Sequence, residues 1–315
     1  MDRWWIYQQE RFPIFKHGVL IAVFAAAAVC YSILLRDGAE TAVLPERLPV
    51  GAIAIAFISL FLCFLQLRIA DEFKDFADDA RYRPYRPVPR GLVTLRELGL
   101  LAIAVAAIQL GLAVAVGFNL VLLLAVVWGY MVLMSREFFV HDWLKAKPVA
   151  YLLSHAVIMP LLALYATACE WVTTTGTPPP GLGWFLLLSF LISLAIELGR
   201  KIRAPQDEET GVETYSALWG IQRAAIAWLS VMWLVAIAAL LAAAQVELVA
   251  PTALLLLPLL TLAMVVTWRF LACPNAYWSK GFEVATGLWT LGVYLAVGVV
   301  PLWFRSLSIS RFITG

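Results

Sequence analysis

The side chains best equipped for chemistry lie in one stretch, QLRIADEFKDFADDARYRPYRPVPRGLVT, at residues 66–94. An apolar run closes at Leu67, and five acids follow within nine residues: Asp71, Glu72, Asp75, Asp78 and Asp79. If the preceding helix continues at about 100° per residue, Glu72, Asp75 and Asp79 share one narrow face, with Asp71 on its flank. Like charges stacked in this way destabilise a bare helix by about 0.2–0.5 kcal/mol per pair, so at the end of a membrane helix they need a compensating cation. A set of hard carboxylate oxygens without Cys or His points to Mg²⁺, which takes one or two carboxylates together with phosphate oxygens and waters. The same spacing also describes a solvated acidic loop balanced by Arg81, Arg83, Arg86 and Arg90. Spacing alone leaves both readings open.

The cations around the acids extend the first reading. Arg68 stands one turn before Glu72 on the same helical face. A guanidinium there can pair with an acid or take phosphate oxygens in bidentate fashion. Arg81, Arg83, Arg86 and Arg90 offer further donors, and Pro84, Pro87 and Pro89 stiffen the loop and stop it continuing as a helix.

A second charged stretch, ELGRKIRAPQDEETGVETYSALWG, occupies residues 197–220. Glu197, Arg200 and Lys201 share a helical face, with Arg203 and then Asp207, Glu208 and Glu209 beyond them. By composition it reads as a cationic cluster with solvated acidic partners. The segment SREFFVHDWLKAK at 135–147 adds Glu137 and His141 at an i,i+4 spacing that would suit two metal ligands but shows no third. It reads as a structural loop, with Arg136, Lys145 and Lys147 available to phosphate or headgroups. His17 reads as an interfacial group. His155, followed by Pro160, marks either a kinked helix lining a cavity or a hydrogen-bonded interior histidine, and the second is the favoured reading.

The elements that must position these groups are membrane helices. The chain is 63% hydrophobic and 14% charged, with 13 Trp, a composition that excludes an ordinary soluble domain. Nine apolar stretches are long enough to cross a hydrocarbon core of roughly 30 Å, near 17–35, 50–69, 95–116, 119–135, 148–168, 183–200, 221–244, 249–270 and 282–304. Residues 1–16, with Trp4, Trp5, Tyr7, Phe12 and Phe15, read as a helix lying in the interface, and no cleaved signal peptide is expected. Nineteen of the 23 Lys and Arg fall on the side that carries the N-terminus and both charged stretches. Arg36, Arg47, Arg305 and Arg311 fall on the other, where the outer loop of Arg36, Asp37, Glu40, Glu46 and Arg47 reads as ordinary solvated charge. By the positive-inside rule the charged stretches face the cytoplasm.

The net charge of +2, spread over several loops, gives no reason to expect nucleic acid. Cys30, Cys63, Cys169 and Cys273 sit in or beside apolar segments without metal-ligand spacing and read as packing residues. Trp228, Trp233, Trp268, Trp278, Trp289 and Trp303 read as interface belts. One membrane domain, residues 1–315, accounts for the chain.

The acidic stretch resembles the first signature of the UbiA-type superfamily of intramembrane prenyltransferases, written NDxxDxxxD and followed by a basic RPxPxG-like turn. In DEFKDFADD, Asp71 stands at the Asn position, Glu72 at the first Asp, and Asp75 and Asp79 at the other two. Arg86-Pro87-Val88-Pro89-Arg90-Gly91 supplies the turn. The second stretch resembles the second signature, DxxDxxxD followed by Gly and a Thr-containing turn. Asp207, Gly211 and Thr214 keep its spacing, while the two earlier Asp positions hold Arg200 and Arg203.

The resemblance implies an all-α, polytopic membrane protein of about nine transmembrane helices around a central cavity, placed in the cell's inner membrane. It implies Mg²⁺ as cofactor, held by Asp71, Glu72, Asp75, Asp79 and Asp207, with Glu72, Asp75, Asp79 and Asp207 as the catalytic acids. Arg68, Arg83, Arg86, Arg90, Arg200, Lys201 and Arg203 are then the contacts to a prenyl diphosphate, and the altered second signature implies direct cation contact in place of one metal site. The implied reaction transfers a prenyl group from an allylic diphosphate to a small aromatic or lipid-precursor acceptor. Membrane lipids are the other expected partners. A terpene cyclase that ionises the same substrate without an acceptor, and a lipid-binding or transport protein without catalysis, remain alternatives. No general base is evident in the sequence.

Overall fold

Apolar segments in a membrane have one economical way to satisfy their backbone, the helix, and the chain takes it throughout. The computed structural model describes residues 3–37 and 49–302, and every regular element among them is helical. Glu40, Glu46, Arg47, Trp303, Arg305 and Arg311 lie outside the described residues, as do residues 1–2 and the last residues expected of the ninth span.

A short helix α1 (Arg3–Arg11) is separated by Phe12-Pro13 from α2 (Ile14–Asp37), so the first span starts a turn earlier than hydropathy places it. Then come α3 (Val50–Lys74), α4 (Phe76–Tyr82), α5 (Leu95–Val116) and α6 (Phe118–Ser135). The short α7 (His141–Lys145) precedes α8 (Pro148–Ala156), α9 (Ile158–Thr174) and α10 (Leu182–Arg200). The chain continues through α11 (Tyr215–Trp219), α12 (Ile221–Ala244), α13 (Val249–Ala272) and α14 (Ala276–Tyr294), which runs into a π-helical turn at Leu295–Val299. Among the described residues, nine helical stretches are long and apolar enough to cross a membrane, α8 and α9 forming one of them.

Three local features place the charged ends. Thr94 and Glu97 form a reciprocal capping box that starts α5 directly after the basic loop: the Thr94 N–H donates to Glu97 Oε2 at 2.9 Å and the Glu97 N–H to Thr94 Oγ1 at 3.3 Å. Only Gly117 separates α5 from α6, at φ 152°, a conformation open to glycine. Gly199, near the end of α10, lies where α10, α12 and α14 converge. A Cβ there would sit 2.5 Å from Thr286 Oγ1 and 2.9 Å from Trp228 Nε1.

Small residues set the helix spacing elsewhere, as expected where lipid supplies no hydrophobic drive between helices. Ala25, Ala27 and Ala28 of α2 are fully buried, and a Cβ on Gly298 would come 2.5 Å from the Ala27 backbone. The tryptophans divide. Trp233 and Trp268 are exposed on the helix surface, but Trp228 and Trp289, expected in interface belts, are fully buried. Trp228 is held there because its indole N–H donates to Thr286 Oγ1 at 3.0 Å, which satisfies its one polar group. Cys30, Cys63 and Cys169 are buried as expected, and Cys273 is exposed.

Candidate functional site

The acidic stretch leaves α3 without losing its helical course. Asp75 bends the chain between α3 and α4 (φ −90°, ψ 3°), yet its N–H still donates to Asp71 O and its carbonyl accepts from Asp79 N, both at 2.8 Å. Asp71, Asp75, Asp79 and Glu72 therefore form one fan, spanning about 100° from Asp71 to Glu72 on ideal helical geometry. Its two edges meet different surroundings.

Asp71, at one edge, lines a cavity of about 200 Å³ and lies 3.5 Å from Arg68 Nη1. Glu72, at the other, is buried and ion-paired with Arg11 of α1. The structure thus does not bring Glu72 to the cavity with Asp71: the amphipathic α1 folds back over α3 and claims it. Asp75, between them, is half-buried and accepts no side-chain hydrogen bond from the described residues. Burial pushes its carboxyl above the ordinary range; Lys74 pulls it down, while Asp71 and Asp79 raise it further. Asp79 is buried, with Oδ2 2.5 Å from Arg86 and Oδ1 3.5 Å from Arg83. Among the basic residues of this loop, Arg90 turns away, donating to Glu10 of α1 and to the Tyr85 carbonyl, both at 2.8 Å.

Gly199 lets α10 bring the second stretch alongside. Glu197 lines the same cavity and pairs with Arg200 at 2.6 Å and Lys201 at 2.9 Å. Arg200 also lines it. Arg203 faces its own loop, 2.8 Å from Glu209, and that hydrogen bond holds the Glu209 carboxyl below its ordinary range. Asp207 closes a 3₁₀ turn away from the cavity lining, with Oδ2 buried and unpartnered. The two loops touch: Gly211, at φ 79°, lies against the Tyr82 ring, where a Cβ would fall 2.6 Å from it.

The remaining wall comes from the kinked fifth span. Pro160 has no N–H to give the Ala156 carbonyl, so the helix breaks at Val157. The Ser193 hydroxyl of α10 lies 3.4 Å from that freed carbonyl. The break opens the wall on which Tyr151 and His155 stand. Lys74 crosses to it, donating to the Tyr151 hydroxyl at 2.8 Å and lying 3.8 Å from Glu137. Glu137 also pairs with His141, as the i,i+4 spacing allows. Sequence reasoning passed over Lys74, Tyr151 and Ser193. Lys74 carried the one available signal, a cation inside the acidic run.

The described helices and their charged cap are those of an integral, multi-pass membrane protein. The family model named UbiA prenyltransferase family matches residues 40–277, and the chain belongs to that family. Solved structures share the fold at low identity. A UbiA homologue from Aeropyrum pernix K1, in its apo form, gives a TM-score of 0.64 at 14% identity over 94% of this chain and 98% of the other. Digeranylgeranylglyceryl phosphate synthase gives 0.60 at 14% identity over 94% and 99%. A UbiA homologue from Archaeoglobus fulgidus bound to GPP and Mg²⁺ gives 0.53 at 12% identity over 92% and 99%. A search of the curated proteins returned no match.

The donor set fits a limited form of magnesium site. Among the described residues no three of His, Cys, Asp and Glu converge. Mg²⁺ usually needs only one or two carboxylates, however, when substrate phosphates and waters fill the other positions. Asp71 at the cavity and Asp75 one turn on supply two carboxylates. Asp79 Oδ1 and Asp207 Oδ2 are buried acceptors without hydrogen-bond donors.

Proposed function

We propose that the protein is a Mg²⁺-dependent intramembrane prenyltransferase, a single membrane domain with its charged loops on the cytoplasmic side of the cell's inner membrane. It moves a prenyl group from an allylic prenyl diphosphate to a small lipophilic acceptor. The observation that carries this reading is one small cavity at the charged end of apolar helices whose wall holds Asp71 together with Lys74 and Arg200. An oily tail requires apolar helices, and a diphosphate head requires cations at their mouth.

Asp71 and Asp75 would hold Mg²⁺, with Asp79 and Asp207 as outer acceptors, and the ion bound there would supply Lewis-acid stabilisation of the departing diphosphate. Lys74, Arg200 and Arg68 bind diphosphate oxygens and counter the charge that builds on the leaving group, and preorganised donors of this kind are strongest where water is excluded. Arg83 and Arg86 fix Asp79, Lys201 fixes Glu197, and Arg203 fixes the second loop. Glu72 serves differently from its place in the sequence motif: it anchors α1 to the end of α3 through Arg11.

The test is pyrophosphate release from geranylgeranyl diphosphate by purified protein in lipid nanodiscs, with a membrane-lipid extract as acceptor pool. Release that depends on Mg²⁺ and falls about 10²–10³-fold in Asp75→Asn is expected. Release unchanged in excess EDTA overturns the reading.

A further inference from the structure

One group in the cavity has no part in binding a diphosphate. His155 stands on α8, its ring stacked on Tyr151 with centroids 3.9 Å apart. Its Nδ1 lies 3.0 Å from the Tyr151 carbonyl oxygen and 3.3 Å from Ser154 Oγ. A carbonyl only accepts, so Nδ1 carries the proton and Nε2 of the neutral ring carries the lone pair. Nε2 is buried and has no hydrogen-bond partner, while the residue lines the cavity beside Asp71 and Arg200. A buried lone pair left without a donor costs about 1–3 kcal/mol, which a bound hydroxyl would relieve.

We infer that His155 is the proton acceptor for the prenyl acceptor, and that this acceptor presents a hydroxyl, alcoholic or phenolic, to the cavity. The inference rests on the prenyltransferase reading and assigns the base that reading lacks. In the step, the C1–O bond of the donor breaks and its electron pair leaves on the diphosphate. The hydroxyl oxygen bonds to C1, and its proton passes to Nε2. The resulting imidazolium keeps its Nδ1–H on the Tyr151 carbonyl and returns the Nε2 proton to water. Around it stand Asp71 and Lys74 from α3, Glu197 and Arg200 from α10, Tyr151 from its own helix, and Glu137 from the turn before α7.

Two variants, His155→Ala and His155→Gln, test this. Gln can accept a hydrogen bond but cannot take the proton. Label transfer from radiolabelled geranylgeranyl diphosphate to hydroxyl lipids of a membrane-lipid extract is measured beside donor binding and slow donor hydrolysis without extract. Transfer is expected to fall about 100-fold in both variants, with donor binding unchanged. Millimolar imidazole is expected to restore part of the transfer in His155→Ala alone. Unchanged transfer in either variant overturns the inference, as does equal loss of transfer and donor binding without imidazole rescue. A wild-type protein that neither hydrolyses nor transfers the donor overturns the prenyltransferase reading itself. Wild-type hydrolysis without transfer to any hydroxyl lipid overturns the acceptor assignment alone.

Discussion

The two charged loops, one after α3 and one after α10, occupy equivalent places at one end of the fold and do different work. The first gathers acids, and the cations around it mostly serve to hold them: Arg11 of α1 holds Glu72, and Arg83 and Arg86 of the loop hold Asp79. In the second loop two motif positions that would be acidic hold Arg200 and Arg203, and Glu197 is the acid that holds cations in place. On the proposed reading, the inversion leaves one pole to keep a metal and the other to meet phosphate directly. The two loops meet at Gly211 and Tyr82.

The largest test of this comparison removes the anchor of the acidic loop. Arg11→Ala leaves Glu72 charged, buried and unpaired, and should cost about 3–5 kcal/mol, read as a lowered unfolding temperature in detergent. The double variant Arg11→Met/Glu72→Leu should recover most of that loss; no recovery would mean α1 is held by its aromatic residues instead. Next comes the metal pole against the cation pole. Asp75→Asn should lower turnover by about 10²–10³-fold and raise the Mg²⁺ concentration required, whereas Glu197→Gln should leave the Mg²⁺ requirement where it was. Equal metal shifts in the two would abolish the distinction.

A smaller effect is expected where the loops meet. Gly211→Ala combines a strained positive φ with a methyl 2.6 Å from the Tyr82 ring and should cost about 1–3 kcal/mol, seen as faster proteolysis within 205–213. The smallest belongs to Arg90→Ala. Its partner Glu10 is exposed and its guanidinium is turned from the cavity, so stability should change by under about 1 kcal/mol and donor affinity not at all. Loss of donor affinity would return Arg90 to the diphosphate site.

Much of the site is legible in the sequence. The step from Asp71 to Asp75 to Asp79, the Pro-stiffened basic turn and the substitution of Arg200 and Arg203 are local patterns, and a helix's own periodicity fixes which side chains share a face. Glu72 shows the limit. Periodicity puts it near Asp79, but its environment depends on Arg11, 61 residues away, reaching it when α1 folds back. Lys74 and Tyr151 were hidden for the same reason, since they meet only because Pro160 breaks the fifth span opposite the end of α3; His155 and Pro160 are legible as a kinked helix, but the partners they meet are not. Trp228 and Trp289 were misplaced because hydropathy does not separate a lipid-facing indole from one buried between helices.

Composition and apolar length by themselves determined that the chain spans a membrane many times, since nothing but helices satisfies a backbone in hydrocarbon. Charge spacing marked where the proposed chemistry lies. Tertiary structure decided which acid faces the cavity, which is spent on an ion pair, and that a histidine joins them. These are matters of which neighbour fills the space beside a side chain, and no helix carries that information in its own repeat.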